Sequence, residues 1–302
     1  MIDEKHQGQY LYVDEQLHIL HGEKAAEALR GQSDAAWLDP RDGVVRVPKQ
    51  RWQQAQRYER DTWMVANVDA TDDRNLAHSH GFGGYAALQA RSFQHAIELG
   101  CGPFTNLRLI GQHCTIARCS LLDPLIEEYL KHPHCTYNRN ALRVSERPLS
   151  RTLGRTLPGR ALRRALRVIA PGTLMEHIPV AELLALPIEE MPARSTYDLV
   201  VMLNVLEHCY DATVIFDKIL SVLNPGGLFV FHDKLFTAAE AEEDVRTRFD
   251  AGHPLRVGRT VIDSFLETNF APLFAEHGIV EDGHDDHDLS RDGIYFIGTR
   301  KG

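Results

Sequence analysis

Two glycines stand at a predicted junction between a strand and a helix. Gly100 and Gly102 follow the predicted strand 95–98 and precede a helical pattern over 105–110. Glycine lets the backbone turn sharply here, and it lets a ligand approach where a side chain would collide. A dinucleotide site would prefer a third glycine at position 105, where Thr105 stands. The loop therefore favours a ligand without phosphate.

A carboxylate stands at the end of the next predicted strand. Asp123 follows the predicted strand 115–122. At this spacing an acidic side chain reaches both hydroxyls of a ribose as a bidentate acceptor. The alternative is a carboxylate that caps the predicted helix 125–130. Together with the glycine loop, Asp123 indicates a nucleoside site.

Three polar residues that follow later strands have side chains able to exchange protons. His208 comes after the predicted strand 197–203, and His232 and Asp233 end the strand 228–232. Ligands bind at the carboxyl ends of parallel strands, so we expect all three side chains at that rim. A neutral imidazole accepts protons near physiological pH. For His208, packing against the ligand or capping the following helix is an equally good interpretation.

Other polar residues have types suited to hold a second small molecule. They lie either after the strand 228–232 or in the N-terminal third of the chain, and mix hydrogen-bonding, charged and aromatic groups. The candidates are Asp250, His253, Arg256, Arg74, His78 and Tyr85. The competing interpretations are a solvated loop for the first three and an ordered linker for the others.

Two charged segments need separate interpretation. Residues 284–288 read His-Asp-Asp-His-Asp and have metal-ligand residue types. They lie in a predicted edge hairpin, so we interpret them as a charged turn and expect no metal. Arginines recur every four residues from Arg143 to Arg155. On a helix they would share a face, either as a gate for an anionic substrate or as a solvated surface.

The elements that must position these residues alternate between strands and helices from about residue 93. This alternation predicts a doubly wound α/β sheet. The predicted strands are 95–98, 115–122, 175–180, 197–203, 228–232, one near 279–281, and 294–299. The last two form a predicted edge hairpin, and residues 133–170 form a helical insert or lid. We expect residues 1–90 to be a mainly helical extension, and residues 91–302 to be the ligand-binding domain.

Composition excludes several classes of protein. The 302 residues carry a formal net charge of -9, which disfavours a nucleic-acid partner. The five cysteines form no C-x-x-C pair, so we interpret them as reduced thiols. Neither a signal peptide nor a membrane-spanning stretch is visible, and we expect a cytoplasmic protein without a membrane partner.

Four motifs in order resemble those of class I S-adenosylmethionine-dependent methyltransferases. The motifs are Glu98-Leu99-Gly100-Cys101-Gly102, Leu121-Leu122-Asp123-Pro124, Tyr197-Asp198-Leu199-Val200 and Asn224-Pro225-Gly226-Gly227. The resemblance covers residue 93 to the end. It implies a mostly parallel, Rossmann-like sheet of seven strands whose final strand runs antiparallel, and S-adenosylmethionine as the cofactor.

The resemblance also implies roles for particular residues. Glu98 would fix the amino group of the methionine part, often through water, and Asp123 would hold the ribose. Glu182 would accept a hydrogen bond from the adenine amino group, and Asn204 would touch the methionine part through its backbone. The implied cofactor-binding set is Glu98, Gly100, Cys101, Gly102, Asp123, Pro124, Glu182, Leu183 and Asn204.

The expected activity is methyl transfer to a small molecule, on an oxygen of a sugar or a specialised metabolite. His208, His232 and Asp233 are the candidate bases, because a hydroxyl acceptor must lose its proton. The alternatives are a nitrogen or sulfur acceptor, a nicotinamide-dependent oxidoreductase, and a non-catalytic scaffold. The sequence leaves open whether the N-terminal extension closes over the site or forms a homodimer interface.

Overall fold

The computed structural model describes several stretches of the chain. The described residues are 9–12, 18–21, 38–39, 44–45, 47, 49–69, 73–138, 178–193, 196–237, 240, 252–280 and 291–302. The greater part of the predicted insert, with all its arginines, lies outside them, as do Asp250 and residues 284–288. The chain divides into two compact units. The first unit comprises Met1–Glu59, Pro187–Thr196 and Met202–Gly302, and the second comprises Arg60–Leu186 and Tyr197–Val201.

The described residues contain fourteen strands and six α-helices. The strands are β1 Gln9–Tyr12, β2 His18–His21, β3 Leu38–Asp39, β4 Val44–Val45, β5 Ser92–Phe93, β6 Ala96–Leu99, β7 Thr115–Ile116, β8 Cys119–Leu122, β9 Val180–Leu184, β10 Tyr197–Leu203, β11 Leu223–Lys234, β12 Arg256–Val257, β13 Phe270–Val280 and β14 Arg291–Arg300. The α-helices are α1 Lys49–Asp61, α2 Asp73–Gly81, α3 Leu107–Ile110, α4 Ile126–Tyr129, α5 Ala212–Val222 and α6 Arg259–Asn269.

Seven strands form one sheet in the order β13-β14-β11-β10-β6-β8-β9. β6 pairs with β8, and β8 with β9, in parallel. The chain thus proceeds outward from β6 and later returns to its other side as β10. This reversal beside β6 is the switch point at which open α/β sheets bind ligands. The predicted doubly wound, seven-stranded, mostly parallel sheet is confirmed.

β10 shows why the centre of the sheet was readable from the sequence. All its residues except Asp198 are buried, and Asp198 accepts hydrogen bonds from the backbone N–H groups of Gln94 and His95. A strand covered on both faces needs a continuous apolar run. The predicted bounds 197–203 are therefore confirmed.

The edges of the sheet were harder to predict. β14 runs antiparallel to both β11 and β13, so the predicted edge hairpin is confirmed. β13 begins at Phe270, however, about nine residues before the predicted strand. Pro272 stands at a register shift in β13, and most described side chains of this edge strand are exposed. Such residues are tolerated at an edge, and they hide the apolar alternation.

Further predicted strands differ in their bounds. The predicted strand 115–122 is divided into β7 and β8, which belong to different sheets. β9, the opposite edge of the sheet, runs from Val180 to Leu184, whereas the prediction ended at residue 180. Its two exposed positions are Ala181 and Glu182, so no regular alternation of polar and apolar residues marks the strand. β11 begins at Leu223, directly after α5, and not beyond the Pro-Gly-Gly turn. Gly226 keeps the left-handed φ of 78° that this turn requires.

The described N-terminal part is helical from residue 49 onward. α1 is followed by a π-helical turn, Thr62–Ala66, then by α2 and a 3₁₀ segment, Gly83–Leu88. Before residue 46 the described elements are four short strands, which the sequence did not predict. The division near residue 90 stays a prediction. Among the described residues, no helix has both the length and the hydropathy needed to span a membrane.

Candidate functional site

The glycine loop follows β6 in the second unit. Gly100 and Gly102 have φ angles of 68° and 52°, which favour glycine. The backbone N–H groups of Gly100 and Cys101 donate to the carbonyl of Leu122, at 2.7 and 3.1 Å. A Cβ atom added at Gly102 would meet nothing within 4 Å. The loop thus borders open space, as a ligand-binding turn requires.

Asp123 links this loop to the next helix. Its Oδ2 accepts a hydrogen bond from the N–H of Gly102 at 3.1 Å, and Oδ1 accepts one from Leu125 at 2.8 Å. Leu125 occupies the N-cap position of α4, and no side chain caps this helix, so Asp123 holds the residue before the helix and is not its cap. A carboxylate can accept about four hydrogen bonds, so these two contacts do not exclude binding to a ribose. The ribose contact stays a prediction.

Glu98 is buried beneath the loop, with 1% of its surface exposed. It accepts hydrogen bonds from the Thr105 hydroxyl, from the backbone and side-chain N–H groups of Asn106 at 2.9 Å each, and from Leu107 N–H at 3.3 Å. The pKa of Glu98 is raised, because the effect of burial exceeds the opposite effect of these hydrogen bonds. Four donors match the acceptor capacity of a carboxylate. Glu98 thus fixes the start of α3, and its predicted contact with a methionine amino group is not tested.

Cys101 and Pro124 complete the loop predicted from the sequence. Cys101 is 3% exposed, and burial raises the pKa of its thiol well above the usual value. Such a thiol is a poor nucleophile. Pro124 is half-buried beside Asp123. All five cysteines are free thiols, as expected.

A short segment that sequence reasoning missed holds the loop from behind. The buried hydroxyl of Tyr137 donates to the Gly102 carbonyl at 2.7 Å. Thr136 donates its N–H to the Pro103 carbonyl at 2.9 Å, and its hydroxyl accepts from Thr105 N–H at 2.8 Å. No periodic pattern marks Thr136 and Tyr137, because they lie outside a helix or strand.

Glu182 and Leu183 lie within β9 and not beyond its end. Glu182 pairs with Ser120, and Leu183 with Leu121. The Ser120 hydroxyl donates to Glu182 at 3.2 Å and lies 3.0 Å from His95 Nε2. Both residues are therefore held against β8. Their roles toward adenine stay predictions.

The predicted N-terminal substrate residues are separated by burial. Arg74 is exposed, with its guanidinium 5.9 Å from the centre of the Trp63 ring. His78 and Tyr85 are buried, and Tyr85 stacks on Phe82 with ring centres 5.1 Å apart. Arg74 is thus accessible to a small molecule, whereas Tyr85 belongs to the core.

The first unit contains the second group of candidate residues, beginning at Asn204 after β10. Asn204 has a φ of 57° and donates its N–H to the His232 carbonyl at 2.8 Å. Left-handed backbone is uncommon outside glycine, but asparagine tolerates it. This bend leads into a 3₁₀ turn, Leu206–His208. Asn204 therefore sets the direction in which the turn leaves the sheet.

Asp233 holds the same turn from β11. Its Oδ2 accepts hydrogen bonds from Val205 and Leu206 N–H groups at 3.2 and 2.8 Å. Burial and the neighbouring Glu207 charge raise the pKa of Asp233 to about 7. The carboxylate is thus a brace for the turn, and it is only 2% exposed.

The side chain of His232 packs against β14. Its Nδ1 lies 3.0 Å from the Ile294 carbonyl oxygen, and its ring stacks on Tyr295 at 4.1 Å. Burial lowers the pKa of His232 to about 4, and none of its surface is exposed. The structure therefore places His232 in the sheet and does not bring it to an accessible rim, where a base must lie.

Glu207 and His208 of this turn form a charged cluster with Lys234 and His253. Glu207 Oε1 lies 3.2 Å from Lys234 Nζ and 3.6 Å from His253 Nε2. The rings of His208 and His253 meet edge to face, with centres 4.5 Å apart. Burial opposes ionisation of Glu207, but the charges of His253, Lys234 and His208 lower its pKa to about 2. Glu207 is thus a fixed anion between two imidazoles and an ammonium group.

Arg256 contacts the segment that carries His253. It donates to the carbonyls of His253 and Leu255, and its guanidinium lies 5.3 Å from the centre of the Phe236 ring. Arg256 is only 5% exposed. It therefore braces the segment that carries His253, which is itself accessible, with 31% of its side chain exposed.

The donor set of the cluster also has the types that bind metal ions. Single ligand atoms of Glu207, His208 and His253 all lie within 4.8 Å of one another. The sequence prediction of no metal did not consider these residues together. Lys234 contacts the same Glu207 oxygen, and its positive charge would repel a divalent ion there. The arrangement favours proton transfer over metal binding.

The sequence matches a protein-family model, and the structure resembles solved structures. A family model described as a methyltransferase domain matches residues 84–280. No curated protein matches the sequence significantly. The structure of the N-methyltransferase NodS from Bradyrhizobium japonicum with S-adenosylhomocysteine is 17% identical, with a TM-score of 0.48, over 83% of this chain and 99% of that chain. A SAM-dependent methyltransferase from Leishmania major is 16% identical, with a TM-score of 0.47, over 96% of each chain.

Proposed function

The chain belongs to the methyltransferase-domain family and uses S-adenosylmethionine, and from this premise we propose that it methylates an oxygen atom of a small molecule. His208 is the base in this proposal. The acceptor class that we propose is a sugar or a specialised metabolite. The observation that carries the proposal is the pair of imidazoles around the buried Glu207 carboxylate.

The residues of the glycine loop fit the cofactor. Gly102 leaves open space at the loop surface, and Asp123 places a carboxylate on the same loop. We assign the ribose hydroxyls to Asp123 and the methionine part to the backbone of Gly100 and Gly102. Glu98 keeps this loop in place through the start of α3. When bound, S-adenosylmethionine supplies a methyl group on a positively charged sulfur.

The cluster supplies what an oxygen acceptor needs. A hydroxyl is a weak nucleophile until its proton is removed, and a positioned imidazole does this near neutral pH. His208 takes that proton from the acceptor oxygen. S-adenosylmethionine, when bound, would supply its methyl carbon to that oxygen and keep the electron pair of the broken carbon–sulfur bond. The Glu207 anion stabilises the imidazolium that results.

Burial decides between the three candidate bases. His232 is fully buried, and Asp233 is occupied with the backbone of the turn. His208 retains an exposed side-chain fraction of 17%. We therefore assign the base to His208 and a bracing role to Asp233. His253, beside it, is assigned to the acceptor.

An acceptor screen tests this function. The purified protein is incubated with S-adenosylmethionine and one of two panels, and S-adenosylhomocysteine is measured by mass spectrometry. The first panel contains monosaccharides, nucleotide sugars and phenols, and the second contains amines and thiols. We expect turnover with the first panel, and a loss of about a hundredfold or more in kcat for His208→Ala.

The matched control is His80→Ala, because His80 is exposed and lies in the other unit. That variant should retain its turnover. Turnover confined to the amine and thiol panel would contradict the proposed acceptor, since those nucleophiles need less help from a base. Full turnover of His208→Ala on a hydroxyl would contradict the proposed base.

A further inference from the structure

Helix α1 presents three side chains to the turn that carries His208. Trp52, Gln56 and Glu59 follow one another at intervals of four and three residues, so they share one face of the helix. Trp52 Nε1 donates to the His208 carbonyl at 3.0 Å, and Gln56 Nε2 donates to the same oxygen at 3.1 Å. Two donors on one carbonyl fix the end of the 3₁₀ turn.

The third residue of this face reaches the imidazole itself. Glu59 Oε2 lies 3.9 Å from His208 Nδ1, and the two side chains are 19% and 17% exposed. This separation is longer than a hydrogen bond, but a small rotation of the carboxylate or one water molecule closes it. A carboxylate beside Nδ1 favours the proton on that nitrogen, and leaves Nε2 as the acceptor atom.

Neighbouring segments brace the same helix face. The Trp52 and Tyr210 rings meet edge to face at 5.3 Å. A Cβ atom added at Gly252 would lie 3.3 Å from Tyr58 and 3.8 Å from Glu59 Oε2. The residue that precedes His253 therefore packs directly against α1. α1 therefore contacts the segments that carry both imidazoles of the cluster, those of His208 and His253.

α1 lies outside the part of the chain that matches the methyltransferase domain, which begins at residue 84. We propose that α1 is a positioning element of the catalytic site: Trp52 and Gln56 fix the backbone of His208, and Glu59 orients its imidazole so that Nε2 receives the proton. This inference rests on the proposed function of His208 as the base. It assigns to the N-terminal extension a role that the sequence left open.

The orientation of the ring can be measured without an acceptor. Protein labelled with ¹⁵N-histidine is studied by long-range ¹H–¹⁵N NMR at neutral pH, and the His208 signals are assigned by their loss in His208→Asn. We expect the Nδ1–H tautomer in the wild type. In Glu59→Gln the amide can donate to Nδ1, so the population should move toward the Nε2–H tautomer. Glu59→Asp keeps a carboxylate and should largely retain the wild-type signals.

The control for charge is Asp61→Asn, because Asp61 lies on the same helix and pairs with the adjacent Arg60. It should leave the His208 signals unchanged. An Nε2–H tautomer in the wild type, or identical His208 signals in Glu59→Gln, would overturn the proposal. Neither result depends on whether the acceptor is a hydroxyl.

Kinetics separate positioning from simple stability. Trp52→Phe removes the donor but keeps an aromatic ring, and Gln53→Ala changes an exposed residue of the same helix. With the best acceptor of the first panel, Trp52→Phe should lower kcat several-fold and leave the KM for S-adenosylmethionine unchanged. Gln53→Ala should change neither. An unchanged kcat in Trp52→Phe contradicts positioning, whereas turnover without any need for His208 contradicts the proposed function instead.

Discussion

The Nζ atom of Lys234 lies 3.2 Å from Oε1 of Glu207, and the side chains are only 7% and 4% exposed. Removing one partner of a buried pair leaves a charge that water does not reach. Lys234→Met should therefore lower the free energy of unfolding by roughly 3–5 kcal/mol. Urea denaturation followed by circular dichroism measures this value.

The matched control for that experiment is an exposed pair. Lys131 lies 2.9 Å from Glu128, with side-chain exposures of 64% and 42%. Lys131→Met should cause a far smaller loss, because water and salt screen exposed charges. Equal losses of unfolding free energy in the two lysine variants would show that the buried pair stabilises the fold no more than the exposed pair does. Glu207→Gln combined with Lys234→Met should cost less than the sum of the single changes.

The raised pKa of Asp233 predicts a dependence of stability on pH. The value is about 7 in the folded protein, against 3.8 for an ordinary aspartate. The folded state therefore binds this proton more tightly than the unfolded state. The resulting stabilisation is present below pH 3.8, and is lost as the pH rises toward 7.

Asp233→Asn removes this titration. The unfolding free energy of the variant, minus that of the wild type, should increase between pH 4 and pH 7. Urea curves at several pH values give this difference. A difference that stays constant over this range would contradict the assigned pKa.

Gly102 offers a test of the open space beside the loop. Gly102→Ala places a methyl group where no protein atom lies within 4 Å, at a φ of 52°. The strain should cost about 1–2 kcal/mol of stability, and the methyl group should reduce the affinity for S-adenosylmethionine more than about tenfold. Calorimetric titration measures the affinity.

Gly226→Ala is the control for backbone strain. Gly226 has a φ of 78° and equally open surroundings, but it lies in the turn within β11. This variant should lose similar stability and retain full affinity. Equal losses of affinity in both variants would mean that strain, and not occupied space, decides the result.

Tyr137→Phe tests the segment behind the loop. It removes the hydroxyl that donates to the Gly102 carbonyl at 2.7 Å. One hydrogen bond of about 1 kcal/mol predicts a loss of several-fold in affinity for S-adenosylmethionine. Tyr197→Phe, at a tyrosine that is equally buried but placed in β10, should leave that affinity unchanged. If Tyr197→Phe weakens the binding of S-adenosylmethionine as much as Tyr137→Phe does, the effect of Tyr137→Phe is not specific to the loop.

The sequence predicted the features that depend on local pattern. The apolar run of β10 and the glycines of the loop each reflect a constraint within a few residues. The structure places Gly102 and Asp123 in contact. The edge strands were misplaced because some of their exposed positions carry apolar residues such as Leu273, so polar and apolar residues do not alternate, and because Pro272 lies within β13.

The charged cluster was only partly predictable. His208 was identified from its place after β10, but Lys234 lies in an apolar strand and gives no separate signal. The hydrogen bond from Trp52 joins residues 156 positions apart. Such contacts depend on the tertiary fold, and periodicity along one segment cannot reveal them. The structure places His232 against Tyr295, which the sequence did not predict, because strand position alone does not show which neighbour a side chain faces.

Calorimetric titration with S-adenosylmethionine and S-adenosylhomocysteine, on the wild type and on Asp123→Ala, tests the central claim most directly. NADH serves as the control ligand. The account predicts binding of both sulfur compounds to the wild type, none of NADH, and a large loss of affinity in Asp123→Ala. Binding of NADH alone, or wild-type affinity for S-adenosylmethionine in Asp123→Ala, would contradict the cofactor site assigned to this loop.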